Sequence, residues 1–516
     1  MICGMPEPLE SFVYSDFSGG LNTNDGPFEL DDNEAQDLLN VSLTQRGALE
    51  KRAGKTRFDT SGMPGGVVVG AEHLRSWYPG ASKFLMASID GKLYSFDAAG
   101  ACTLRVTGTS PAVWSMEQMQ NAAGAEMLWA VNGVDQPRKI TPGFVVANWG
   151  AGSPAITSSI IRVWKNRMVV SAGAYGVAPL TMRVDFSKIG DPETFGANDF
   201  QIIKGSEEDV EPITWLEVLG DNLIVFKKNS VWSIYAEPPN IALKRLGEPG
   251  CQDRFQTCVV GDRVYWWSRN GVWSTDGVEA PVYESKAIEN FILENHNFAL
   301  ASKVRLCSSR DRRVFVALAI DSSSIGNNQM LELVTDLQDD SGNSVQGPWL
   351  RHDLPAASMC SFRPVETDVL MAGAADAAKV HTLFSGASDD GVAIRSFWWS
   401  SWQALYGEEP IERLRRLNFQ MDGMARVDVY RDFEDIPAFT ATLTRPGAGG
   451  DTLWDGGLWD GGLWTSSVGQ AGFLRARPET RGRYHSVKVS NDDLVIGMKI
   501  LSIEMMVRGG TKELHT

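Results

Sequence analysis

The sequence predicts an all-β protein: a β-propeller of six or seven degenerate blades, with an N-terminal signature unit before it and a C-terminal β-sandwich after it. Three observations predict it. Pairs of apolar strands joined by Asp-Gly, Asn-Gly or Lys-Asn turns recur at roughly 40 to 50 residues, the spacing of propeller blades. Gly at 51 residues and Trp at 17, both high for a chain of 516, suit many turns between short aromatic-rich strands. Beyond Ile394 the texture changes, and Ala425-Arg426-Val427-Asp428-Val429-Tyr430 alternates as a half-buried strand.

The first unit, 1–60, centres on Asp16 to Phe58. Gly19 and Gly20 permit a turn that a β-carbon obstructs, and Leu21 follows at once. Asp31 and Glu34 form an Asp-x-x-Glu capping box, which predicts a short helix burying Ala35, Leu38 and Leu39. Asn40 ends that helix, and Val41-Ser42-Leu43 reads as a strand. A tight turn at Gln45-Arg46-Gly47 returns the chain through Ala48-Leu49, and Lys51-Arg52-x-Gly54 closes the unit.

The propeller is assigned to 61–393, after a linker at Ser61-Gly62-Met63-Pro64-Gly65-Gly66. Its hairpins are expected around Asp90-Gly91, Asn132-Gly133, Val163–Val170 with Leu180–Val184, Lys228-Asn229, and Asn270-Gly271. Two more are expected from Arg313–Leu318 with Leu331–Val334 and from Val369–Gly373 with Val380–Phe384. Ser285 is expected to cap a connecting helix with Ile288, Phe291 and Ile292 on its apolar side. No Gly-His…Trp-Asp signature marks a WD40 array.

The sandwich is assigned to 394–516, with strands at Arg395–Trp402, Ala425–Tyr430, Tyr484–Val489 and Met498–Val507. Within it, Leu-Trp-Asp-Gly-Gly repeats with a period of five and sets out Trp454, Trp459 and Trp464. Such a ladder can stack on sugars, anchor a neighbouring subunit, or fill its own core. Arg475, Arg477, Arg481 and Arg483 suit a subunit interface or a solvated strand face better than phosphate in so acidic a chain.

Charge and motifs exclude several functions. A net charge of −16 opposes clamping of nucleic acid, which needs a basic footprint, but leaves open an acidic lining past which DNA slides. Cys3, Cys102, Cys251, Cys258, Cys307 and Cys360 show no Cys-x-x-Cys pairing, so small buried thiols in a reducing compartment are expected, not a zinc site or disulfide framework. Gly54-Lys55-Thr56 fails as a phosphate loop because Leu49 stands where the first glycine belongs. His-Glu-x-x-His and Gly-x-Ser-x-Gly are both missing. The six histidines are isolated, and Asp339-Asp340 and Asp389-Asp390 read as solvated loops. No catalytic residue, cofactor or metal is assigned. Met1–Glu7 lacks a leader's basic and apolar regions and no run is long enough for a membrane span, so a cytoplasmic product is expected.

The order Gly-Gly-Leu, acidic helix, Asn, turn Gly, Leu, Lys-Arg-x-Gly resembles the N-terminus of the tail nozzle proteins of short-tailed bacteriophages, also called tail tubular protein B. The resemblance rests on Gly19, Gly20, Asn40, Gly47, Lys51, Arg52 and Gly54, and the tandem Leu-Trp-Asp-Gly-Gly repeat is not part of it. It implies a virion tail component assembled in the host cytoplasm, a non-enzymatic ring that extends the portal–adaptor channel, retains the genome and passes it at ejection. By the same resemblance the ring is hexameric, its N-terminal unit packs with the sandwich as a platform, and its partners are an adaptor or portal ring and tail fibre or spike proteins. DNA passes without specific binding. A rival function is a glycan-binding or glycan-cleaving propeller that uses the Trp ladder and an acidic pocket at the central channel. A carboxylate pair with an arginine cluster at the propeller mouth would favour that rival.

Overall fold

The computed structural model describes residues 10–44, 47–64, 69–108, 110–149, 157–175, 178–206, 208–309, 312–321, 326–335, 347–375, 377–404, 412–444 and 472–509. Trp454, Trp459, Trp464, Asp339-Asp340, Gln45-Arg46, Gly65-Gly66 and Cys3 lie outside the described residues. The chain divides into two compact units, one of 56–336 with 353–383, the other of 1–55, 337–352 and 384–516.

The first of these is a β-propeller. Six antiparallel four-stranded sheets follow one another, five of them over 73–106, 115–148, 160–202, 213–247 and 257–283. The sixth joins Ser358–Phe362, Val369–Gly373 and Val380–Leu383 to the much earlier strand Lys55–Arg57, so distant parts of the chain complete one blade. Between the fifth and sixth sheets lies a meander of Arg305–Ser309, Arg313–Leu318 and Gln329–Val334. Its first strand packs between the first strands of its neighbours, and the first strand of the last sheet packs on that of the first, closing the ring.

Local turn chemistry accounts for the hairpins. Asp90 and Gly91 both take positive φ, 49° and 69°, the pair of angles a two-residue turn between twisted strands requires. Lys165 and Asn166 do the same at 48° and 56°, which splits the stretch read as one strand into Ile160–Trp164 and Arg167–Tyr175. Asn132-Gly133 instead opens a longer loop, because Glu126–Val131 next pairs with Arg138–Ile140. Each of the first five sheets buries a tryptophan almost completely: Trp77, Trp129, Trp164, Trp215 and Trp266. Two of these indole N–H groups donate to carbonyls, Trp129 to Met119 at 3.0 Å and Trp164 to Asp221 at 2.9 Å, and that of Trp215 donates to the Glu217 carboxylate at 3.4 Å. The connecting helix forms at Glu289–Asn295 after a 3-10 turn, Lys286–Ile288, and buries Ile288, Phe291 and Ile292. Ser285 does not cap it, since its hydroxyl accepts the Val272 N–H at 3.0 Å.

The second unit is a β-sandwich built from both ends of the chain. One strand, Glu412–Arg431, serves both of its sheets. Its first part, Glu412 to Gly423, pairs with Met498–Gly509, which also pairs with Glu10–Tyr14 and Leu49–Lys51. Its second part pairs with Phe439–Thr444 and His485–Asn491, and that sheet continues through Ser396–Ser400, Glu34–Leu39, Gly20–Leu21 and Trp349–His352. The change of sheet falls at Gly423, at φ 83°, where an added β-carbon would lie 2.0 Å from the Gly497 carbonyl oxygen. Tyr14 and Phe17 set their rings edge-on to Trp398 at 5.5 and 5.1 Å, so aromatic packing joins the two ends of the chain.

The helix expected after Asp31 is instead the strand Glu34–Leu39. Half of the capping box does form: the Asp31 N–H donates to Glu34 Oε2 at 3.0 Å. A β-bulge between Ala35 and Asp37 brings Ala35 and Leu38 to the same buried side. The bulge thus gives a strand the i, i+3 spacing of a helix.

Candidate functional site

The residues that carry the N-terminal signature meet inside the sandwich unit. Arg52 is 2% exposed, and its Nη1 and Nη2 donate to Asp389 Oδ1 and Oδ2 at 2.9 and 2.6 Å. Its Nε donates to Asn40 Oδ1 at 2.8 Å, while Asn40 Nδ2 donates to the Arg395 carbonyl at 2.7 Å. Asn40 takes φ 54°, a left-handed angle that asparagine tolerates. Gly54 donates its N–H to the Gly386 carbonyl at 2.8 Å, and a β-carbon there would sit 2.0 Å from the Ser388 carbonyl oxygen. Lys51 Nζ donates to Asn491 Oδ1 at 2.8 Å and to the Asp493 carbonyl at 2.6 Å. Gly19 and Gly20 lie against Glu34 and Trp349, and Gly47 against the Asp16 carboxylate. All seven positions therefore have internal roles. Asp389, read from sequence as a solvated loop residue, is the partner that neutralises Arg52.

A second constellation occupies the propeller axis, and sequence reading missed it. Each first strand contributes a side chain at a corresponding place: Arg75, Glu117, Arg162, Glu217, Cys258, Cys307 and Cys360. The first four form an ion ladder across four blades. Arg75 donates to Glu117 at 2.6 Å, Arg162 to Glu117 at 3.0 Å, and Arg162 to Glu217 at 3.2 Å. Thr257 Oγ1 then donates to Glu217 at 2.8 Å. Burial alone would raise the Glu217 carboxyl, but the Arg162 charge and the bonds from Thr257 and Arg162 hold it below its ordinary value. The three cysteines continue the belt, each within electrostatic range of the next, and Cys360 reaches Arg75. Burial pushes all three thiols up, which keeps them protonated and poorly nucleophilic.

Phe255 fills the axis at another level. Its ring stacks on His73 of the first blade at 4.1 Å and meets Trp215 of the fourth edge-on at 4.7 Å. The Arg305 guanidinium of the meander lies 5.6 Å from the same ring. A side chain that touches first strands on opposite sides of the ring lies at its centre. His73 Nδ1 donates to the Trp114 carbonyl at 2.8 Å, and burial takes its imidazole well below the ordinary range. Among the described residues no His, Cys, Asp and Glu grouping is arranged to hold a metal ion, and no helix is long and apolar enough to cross a membrane.

No protein-family profile matches the chain, and no curated protein matches it. Solved structures that do match include BBS1N in complex with ARL6DN, at 9% identity and a TM-score of 0.39, covering 62% of this chain and 94% of that one. Another is PorZ, a bacterial surface component of the type-IX secretion system of Porphyromonas gingivalis, at 10% identity and a TM-score of 0.37. That match covers 69% of this chain, which spans 44% of PorZ.

Proposed function

We propose that this protein is a structural component of a short-tailed bacteriophage, a tail nozzle that forms a ring, extends the portal–adaptor channel, and retains and then passes the genome. The observation that carries the reading is the use made of the signature. Asn40, Arg52 and Gly54 tie the N-terminal segment to 386–395, and Lys51 ties it to 491–493, so the segment is an integral part of the sandwich unit. A residue order kept for such long-range fastening suits a platform that other subunits stack on. The filled propeller axis also supports it: a blade disc plugged by Phe255 and an ion ladder is a rigid body, and any DNA channel lies between subunits of the ring.

The glycan-cleaving rival has one feature in its favour, the two arginines and two carboxylates at the axis. Each carboxylate is bonded to arginine, and Glu217 is held ionised, so the general acid that such chemistry needs is not supplied there. In this proposal the protein is a non-enzymatic homo-oligomer, hexameric, assembled in the host cytoplasm and docked on an adaptor ring. Particle mass in solution, measured with and without a candidate adaptor protein, tests it together with negative-stain images. Ring particles that bind the adaptor are expected. A chain that stays single under all conditions and hydrolyses glycans would overturn the proposal.

A further inference from the structure

We propose that the sandwich unit carries a binding site for an acidic sugar, a polyhydroxylated ring bearing a carboxylate. The site is a groove of about 500 Å³ on the outward face of three strands, Ser396–Ser400 with its preceding Arg395, His485–Asn491, and the second part of Glu412–Arg431. This function is separate from the proposed ring and holds or fails independently of it.

Strand register explains why a flat sheet face becomes a groove. Ser490 of the middle strand is paired across with Phe397 on one side and Arg426 on the other. One row along, Lys488 stands between Trp399 and Asp428. Val427, Val429, Val487 and Val489 alternate with these residues and are fully buried on the opposite face. The small Ser490 leaves a trough between larger walls.

The charges in the groove are unevenly satisfied. Arg395, Arg426 and Lys488 line it against Asp428 and Asp492. Asp428 already accepts from Arg426 at 3.2 Å and from Thr440 Oγ1 at 2.6 Å, and nearby Asp37 accepts from Arg351 at 2.8 Å. Among the described residues neither Arg395 nor Lys488 has a hydrogen-bonded carboxylate. The Lys488 ammonium rests on the rings of Phe397 and Trp399, 4.0 and 4.5 Å from their centroids. Burial also lowers its pKa, with Arg395 and Arg351 adding to that effect and Asp37 and Asp428 opposing it. Among the described residues Arg395 and Lys488 thus have no hydrogen-bonded carboxylate, which leaves them as the groove's contacts for an anionic group beside Asp428 and Asp492.

Size and composition choose the ligand. The volume falls within the ~300–1,000 Å³ of small-molecule pockets, whereas a stable protein interface needs roughly 800 Å² from each partner. Arg395 and Lys488 provide the charge for a carboxylate, which a guanidinium binds in two-pronged fashion. The Ser490 hydroxyl and Asp492 provide partners for ring hydroxyls.

Titration of the full chain with D-glucuronate, followed by calorimetry and ligand-observed NMR, tests the site. D-glucose and a tetraglutamate peptide serve as comparison ligands. Saturable glucuronate binding is expected, about tenfold or more tighter than either comparison and weakened by salt. Arg395→Gln and Lys488→Met are each expected to weaken it about tenfold or more. Ser490→Phe, which fills the trough but leaves every charge in place, is expected to abolish it. Each variant is checked by its melting curve, which should match the parent. No saturable binding of glucuronate, equal binding of glucose or of tetraglutamate, or full binding by correctly folded variants would overturn the assignment.

Discussion

Arg52 and Asp389, 337 residues apart in the chain, form a two-pronged ion pair inside the sandwich unit with N–O distances of 2.9 and 2.6 Å. The Arg52 side chain is fully buried and that of Asp389 is 16% exposed. Removing one partner of such a pair strands the other charge away from water. Asp389→Ala is expected to destabilise the sandwich unit by about 3–5 kcal/mol. Replacing both residues with apolar ones of similar volume, Arg52→Met with Asp389→Leu, is expected to cost less than the single change. Chemical denaturation followed by tryptophan fluorescence checks this, and equal losses for the single and double variants would contradict it.

The strand that serves two sheets depends on one residue. Gly423 takes φ 83°, and its pairing with Met498 is the last before the strand turns to face His485–Asn491. Any other residue pays about 1–3 kcal/mol for the angle alone. The Gly497 carbonyl, 2.0 Å from where a β-carbon would stand, adds a clash. Gly423→Ala is therefore expected to lower the denaturation midpoint markedly, while Gly497→Ala, where a β-carbon meets open space, is expected to change it little. Similar midpoints for the two variants would remove the bend from the account.

What the sequence revealed depended on how local the cause was. Asp90-Gly91 specifies its turn locally, and Asn270-Gly271 marks a turn that falls one residue earlier, at Arg269-Asn270, with Gly271 opening the returning strand, so the hairpins and their spacing could be read. The Ala425–Tyr430 alternation likewise placed Arg426 outward and Val427 inward. Asp31–Leu39 misled because a bulge gives a strand the spacing of a helix face. Asp389 was hidden because its partner lies 337 residues away. The axial ladder was hidden for the same reason, since Arg75, Glu117, Arg162 and Glu217 meet only once the blades close. A signal did exist: a lone charged residue near the middle of the otherwise mostly apolar opening strand of a blade, as in Ile160-Ile161-Arg162-Val163-Trp164.

The ladder predicts how the propeller responds to acid. Glu217 has a folded-state pKa below its ordinary 4.5. A depressed carboxylate contributes stability that is present above 4.5 and lost as pH falls through the lower folded value. Below pH 4.5 the melting temperature of the propeller is expected to fall. Glu217→Gln is expected to reduce that slope while lowering stability at neutral pH, because Arg162 loses a charged partner. Melting temperature measured against pH for both proteins checks this, and parallel curves would show that Glu217 contributes nothing to the acid response.

His485 sets a separate acid window in the sandwich unit. Its side chain is buried, and burial takes its pKa from 6.5 to about 4, with Arg431 adding to that effect and Asp432 opposing it. Its backbone N–H and carbonyl exchange hydrogen bonds with Gln403 at 3.0 and 2.9 Å, while among the described residues neither ring nitrogen has a hydrogen-bond partner, so a proton there would be buried without an acceptor. The folded state thus binds a proton less readily than the unfolded chain. The stabilisation is complete above pH 6.5 and declines as pH falls from 6.5 toward 4. This window lies above that of Glu217, so the two can be told apart in one titration. His485→Phe keeps an aromatic ring at the position and cannot be protonated. It is expected to lessen the decline between pH 6.5 and 4, part of which His73 and His296 retain, and leave the loss below pH 4.5 due to Glu217 unchanged. A decline in the upper window as steep in that variant as in the parent would show that His485 is not among the groups that titrate there, which include the buried His73 and His296 of the propeller.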